Sequence, residues 1–324
     1  MRLPFLLEPS AKDYLWGGTR LNDDFGKGIN LIPLAETWEC STHPDGESHV
    51  KGETLSQVLA RHPEWLGTHP LATTGGRPQL PIMIKLIDAK TDLSVQVHPD
   101  DEYALKYEGS LGKTEMWYVL EARPGAELIY GFNRDVTPEI VREALANYSI
   151  ETLLNHVPVH KDDLFYIEAG TVHAIGAGCL VAEIQESSNL TYRLYDYDRI
   201  DANGKKRPLH VEKALAAANL RSSMVPRQPM RVFRYHQGCA SELLTRCKYF
   251  QVERMLLNTE IHRMLVPYQT GSNSFHALLC LDGCGSISGE GFVMNFFKGD
   301  CFFIPAESIP LKLHGKAQFL DVSC

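Results

Sequence analysis

Four side chains in the first 173 residues have the types and spacing to hold one cation. Gln96 and His98 end an alternating stretch just before the turn Pro99-Asp100-Asp101, so they project from the same face of an expected strand. Glu115 opens the next strand, within Lys113-Thr114-Glu115-Met116-Trp117, and His173 follows the turn Glu168-Ala169-Gly170-Thr171. Two imidazoles, a carboxylate and an amide oxygen suit Zn²⁺ or another divalent first-row ion, with room left for water or substrate. By contrast, His43, His49, His62 and His69 sit in segments rich in Pro, Gly and Thr and read as solvated.

Such ligands need strands to position them, and short apolar or alternating runs bounded by Gly, Pro and Asp dominate the chain. Strands are predicted over 82–87, 93–97, 116–121, 127–130, 163–167 and 180–185. Helices come as insertions. Thr137 caps one with Pro138 in its first position, and the helical pattern runs through Val141 and Leu145 toward Leu153 and Leu154. Others are expected over 54–61 and 211–220. The stretch 222–237, with Pro226 and Pro229, follows neither period and reads as a linker, after which 241–324 is again strand-like. Two domains are therefore expected: residues 1–225, bearing the site and the helical insertions, and residues 226–324.

An internal similarity supports that division. Lys161-Asp162-Asp163-Leu164-Phe165-Tyr166-Ile167-Glu168-Ala169-Gly170 and Lys298-Gly299-Asp300-Cys301-Phe302-Phe303-Ile304-Pro305-Ala306-Glu307 each read as an acidic turn, four large side chains and a small-residue turn. The first copy continues into His173 and the second into Ser308 and Ile309, without a histidine. The second module is expected to keep the β scaffold and lack the chemistry.

Composition bounds the partners. A chain of 324 residues, 44% hydrophobic and 22% charged, can bury a sizeable core, and its formal net charge of −8 provides no positive field for nucleic acid or anionic lipid. No apolar run approaches the roughly 18 residues of a spanning helix, and Met1 to Pro9 lack the pattern of a signal peptide. A soluble, cytoplasmic protein is expected. The eight cysteines form no Cys-x-x-Cys pair and read as reduced thiols, mostly core fillers.

The order of strand with Gln-x-His, strand with Glu, then acidic turn, strand and Gly-x-x-His resembles the cupins, β-barrels whose metal ligands come from adjacent strands near the mouth. The expected fold is mainly β, with two cupin-like barrel or jelly-roll modules and a few inserted helices. More specifically, the sequence resembles the short bacterial form of the type I phosphomannose isomerases. The matching pieces are Trp16-Gly17-Gly18, Ala35-Glu36-Thr37-Trp38, Leu80-Pro81 with Lys85, Leu93-Ser94-Val95-Gln96-Val97-His98-Pro99-Asp100, Gly112-Lys113-Thr114-Glu115-Met116, Ala169-Gly170-Thr171-Val172-His173-Ala174 and the segment from Glu183 to Arg193.

The resemblance implies one zinc ion per chain on Gln96, His98, Glu115 and His173, an active-site arginine at Arg193, and interconversion of mannose 6-phosphate and fructose 6-phosphate. It also implies that Lys85 and Ser94 meet the phosphate, since no Gly-rich phosphate loop is present. The chain departs from longer members in having Thr114 where they have Pro, and it is too short for their large helical insertion.

Aldose–ketose exchange moves a proton from C2 to C1 and gathers negative charge on O1 and O2. A divalent ion and a permanently charged guanidinium would stabilise that charge. For the proton itself three candidates stand: Lys113, whose pKa the metal would lower; Glu183; and a metal-bound water. A metal cup alone fixes no reaction. A cupin acting on another sugar phosphate, a cupin oxygenase, and a non-catalytic sugar-phosphate-binding protein are the competing readings.

Overall fold

The strands that build the site are apolar on both sides because both sides are covered. In the computed structural model, which describes residues 2–200, 204–261 and 264–324, the strand Ile82–Asp88 is buried at every position. Ile82, Ile84 and Leu86 face one core, whereas Met83, Lys85 and Ile87 alternate onto the opposite face. The same alternation divides Glu115–Ala122: Met116, Tyr118 and Leu120 pack outward, and Trp117 and Val119 pack inward on the side of Glu115. Cys179–Glu186, buried throughout, completes the pattern.

These strands lie side by side in a six-stranded antiparallel sheet. A five-stranded sheet containing Val95–Val97, His173–Ile175 and Tyr192–Tyr195 supplies the other wall. Inward side chains of both walls meet in a core that includes Ile87, Trp117, Leu128, Phe165, Ile175 and Val181. The outward face of the six-stranded sheet packs on a nine-stranded sheet built mostly from residues after 233. Their shared core joins Ile84, Leu86, Met116 and Ile184 to Phe250, Phe275, Leu279 and Phe303.

Sequence and structure differ at three places. The helix opened by Thr137 and Pro138 stops at Ala146, because Tyr148 adopts a left-handed backbone (φ 55°); a 3₁₀ turn over Ile150–Leu153 and the strand Leu154–Pro158 follow. The helix expected over 211–220 ends at Ala217. The segment read as a linker contains the strand Arg234–His236, which pairs with Cys239–Arg246 and escapes notice because all three residues are exposed. The helix Leu55–Arg61 forms as expected, with Thr54 and Gln57 in a capping box.

Both copies of the internal similarity form four-residue strands, Leu164–Ile167 and Cys301–Ile304. The second pairs with Phe5–Leu7, so the chain's first strand joins the nine-stranded sheet and the division at 225/226 does not separate two contiguous units. This junction is stacked: the ring of Phe303 lies 5.1 Å from that of Phe5 and 5.0 Å from that of Phe275. Phe303→Ala is expected to lower unfolding stability by about 3–5 kcal/mol in urea titration, with zinc binding retained. All eight cysteines are free, and Cys40, Cys179, Cys280 and Cys301 are buried, in line with their reading as core residues. Among the described residues, no helix is long and apolar enough to cross a membrane.

Candidate metal centre

Strand register places the chemistry in two rows. Across the six-stranded sheet, Trp38, Lys85, Glu183 and Trp117 are successive cross-strand partners. Across the five-stranded sheet, the row is Tyr130, His173, Gln96 and Arg193. Residues so paired lie about 5 Å apart on one face. Hydrophobic alternation thus fixes which side chains point between the two sheets, and register fixes which of them meet.

Where the rows approach each other, His98, Glu115 and His173 come together, with one potential ligand atom from each lying within 4.8 Å of the others. All three are buried. His98 Nδ1 donates to the Leu190 carbonyl and His173 Nδ1 to the Thr171 carbonyl, both at 2.8 Å. Because a carbonyl only accepts, the proton of each neutral imidazole is on Nδ1 and both Nε2 atoms carry an unprotonated lone pair, that of His98 accepting from Lys113 Nζ at 3.2 Å. Those two nitrogens lie 3.2 Å apart, and Glu115 reaches them at 3.6 and 3.4 Å. Neither Glu115 oxygen accepts a well-formed hydrogen bond, although Lys113 Nζ is 2.8 Å from Oε2 as an ion pair.

Facing lone pairs and a buried carboxylate without hydrogen bonds suit a divalent cation, so these residues fit a metal. The Gln96 amide adjoins them, with Nε2 3.4 Å from His173 Nε2 and Oε1 3.4 Å from Ser94 Oγ. Oxygen and nitrogen of an amide are nearly interchangeable in placement, and the exchanged orientation offers the oxygen to the cluster.

Electrostatics keep both imidazoles neutral. Burial, then the Lys113 charge, holds His98 well below its ordinary pKa, and burial pushes His173 down to about 4; both are neutral near pH 7. Burial and the Glu183 charge raise Glu115 to about 7. Burial would raise Glu183 too, but Lys113 and Lys85 outweigh it and hold this carboxyl below its usual value. Lys113 is governed by its two carboxylate neighbours. Burial alone would depress it, yet Glu115 and Glu183 hold it above the ordinary lysine value, so the chain's own carboxylates keep it charged.

A cavity of about 310 Å³ opens beside this cluster, lined by Lys85, Ser94, Gln96, Lys113, Glu183 and Arg193 among others. Arg193 Nε donates to Ser94 Oγ at 3.3 Å, which links the arginine to the hydroxyl beside Gln96. Asp196, three residues on, accepts from Arg199 and Arg207. Lys85 is buried between Glu36 (3.7 Å) and Glu183 (3.5 Å), with its ammonium 4.6 Å over the Trp38 ring. The cavity is lined by six of the nine predicted site residues, and the other three, His98, Glu115 and His173, form the cluster beside it.

Sequence reasoning missed the tryptophans that orient the carboxylates. Trp117 Nε1 donates to Glu183 at 2.9 Å, and Trp38 Nε1 donates to Glu36 at 2.7 Å. The signal was present for Trp117: two residues after Glu115 on a strand, it shares that residue's face. It also missed Arg207, another lining residue, whose loop has no periodicity to place it.

Fold and site together define a metal-binding cupin with a cationic group at the edge of its cavity. The description "Phosphomannose isomerase type I, catalytic domain" matches residues 5–121, and "Mannose-6-phosphate isomerase, cupin domain" matches residues 241–323. The mannose-6-phosphate isomerase of Bacillus subtilis strain 168 is 38% identical over 97% of both chains. A crystal structure of a mannose 6-phosphate isomerase from Bacillus subtilis superposes with a TM-score of 0.87, at 34% identity over 99% of each chain. A mannose 6-phosphate isomerase bound with zinc and yttrium shares the fold, with a TM-score of 0.75 at 16% identity over 98% of each chain. The chain belongs to the type I phosphomannose isomerase family.

Proposed function

We propose that the chain interconverts mannose 6-phosphate and fructose 6-phosphate, with one zinc ion on Gln96, His98, Glu115 and His173. The observation that carries this reading is the buried His98–Glu115–His173 cluster beside a cavity lined by Gln96, Arg193 and the Lys113–Glu183 pair. When bound, the ion supplies Lewis acidity for the charge that gathers on the sugar oxygens.

The remaining work falls to side chains. Glu183, kept ionised by Lys113 and Lys85 and oriented by Trp117, takes the C2 proton and returns it to C1. Lys113, kept charged and 3.7 Å from Glu183, supplies a proton to O1 and receives the one leaving O2. Arg193 adds a fixed positive charge that never competes for protons, braced by Ser94. Lys85 and Ser94 line the substrate cavity. Residues 1–225 hold the chemistry, and residues 226–324 back the wall on which half of it stands.

The test is a coupled assay across hexose phosphates, with metal analysis of the same preparation. Turnover of mannose 6-phosphate in zinc-replete protein, lost on chelation and regained with Zn²⁺, is the expected result. A metal-replete chain that binds hexose phosphates without isomerising any of them would overturn the proposal.

A further inference from the structure

Charge is unevenly distributed along the cavity. At its inner end three carboxylates, Glu36, Glu115 and Glu183, face two ammonium groups, Lys85 and Lys113. Lys85 is committed there: it is 4% exposed, has a carboxylate on two sides and lies over the Trp38 ring. A phosphomonoester dianion brought to Lys85 would also meet Glu36 and Glu183, whose repulsion offsets the attraction.

Toward the segment 193–210 the balance reverses. Three guanidiniums gather around one carboxylate: Arg199 and Arg207 both pair with Asp196, and Arg193 lies close enough to Arg207 for the two charges to feel each other. Arg207 places Nε and Nη2 on Asp196 at 2.8 and 2.5 Å, a two-point fork that fixes its plane. Its Nη1 meets no partner among the described residues. Arg193 is held by Ser94 and by the Pro208 carbonyl (3.0 Å), and its Nη2 likewise meets none. Both arginines line the cavity, as does the Thr191 hydroxyl. Two immobilised guanidiniums, each with free donors, form an excess of positive charge suited to an anion with several oxygens.

Building on the isomerase reading, we infer that Arg207, set by Asp196, anchors the substrate's phosphoryl group, that Arg193 adds only its nearby charge there while its free donor serves the reacting oxygens, and that Lys85 does not bind the phosphoryl group. Arg207 is then the residue that selects a phosphorylated over a free hexose, and Lys85 organises the Glu36 and Glu183 carboxylates within.

The test needs no turnover. Inorganic phosphate is titrated calorimetrically into the zinc-loaded chain and into its Arg207→Gln, Arg207→Lys and Lys85→Met variants, each checked for an unchanged thermal transition and zinc content. Arg207→Gln is expected to weaken phosphate about 10- to 100-fold, as loss of a charged hydrogen-bonding partner does. Arg207→Lys should recover part of the loss, and Lys85→Met should change affinity less than about threefold. Wild-type affinity in Arg207→Gln, or an equal loss in Lys85→Met, overturns the assignment. In the coupled assay the same glutamine variant should raise KM for mannose 6-phosphate by the same factor and change kcat little. An inactive wild-type chain whose phosphate binding still depends on Arg207 would sink the isomerase reading and leave the anion site standing.

Discussion

His98→Ala and His173→Ala are each expected to abolish stoichiometric zinc binding and to lower turnover by about 10³-fold or more, since a lost Lewis acid forfeits several kcal/mol of transition-state stabilisation. Each imidazole is locked by a backbone carbonyl on Nδ1, so its Nε2 has no alternative orientation and no neighbour can replace it. Metal analysis after gel filtration reads the first effect and the coupled assay the second. A variant that keeps one equivalent of zinc would show that the ligand set is misassigned.

Arg193→Ala should behave differently. Zinc content is expected to match wild type, because the arginine contacts Ser94 and the Pro208 carbonyl and none of the three clustered ligands. With one fixed donor to the developing oxyanion removed, kcat should fall about 10²- to 10³-fold. Arg193→Lys should restore only part, because an ammonium cannot span both Ser94 and the reacting oxygens as a planar fork does. Loss of bound metal from Arg193→Ala would assign this residue to building the centre instead.

The three clustered residues were legible in the sequence because each stands beside a strand boundary. Pro99-Asp100 follows His98, Lys113-Thr114 precedes Glu115, and Gly170-Thr171 precedes His173. The six predicted strand runs formed for the same reason, with ends moved by one or two residues. Elements set by tertiary context were hidden. Nothing local in Phe5-Leu6-Leu7 indicates pairing with Cys301–Ile304, almost the whole chain away. The charge state of Lys113 was equally invisible: it depends on Glu183, brought alongside by the pairing of Trp117 with Glu183. The exposed strand Arg234–His236 buries nothing, so no hydrophobic period marks it.

In Ile82–Asp88, Glu115–Ala122 and Cys179–Glu186 one face serves the shared core and the other serves the sugar cavity. Inserting or deleting a single codon within any of them would exchange the two sets, sending Lys85 or Glu183 into hydrocarbon and isoleucines toward the metal. Point changes can be absorbed gradually at such positions, whereas a change of length needs a β-bulge to restore the alternation, as the irregularity between Val119 and Glu121 shows. Descendants of this gene that differ in size are therefore expected to differ at the turns.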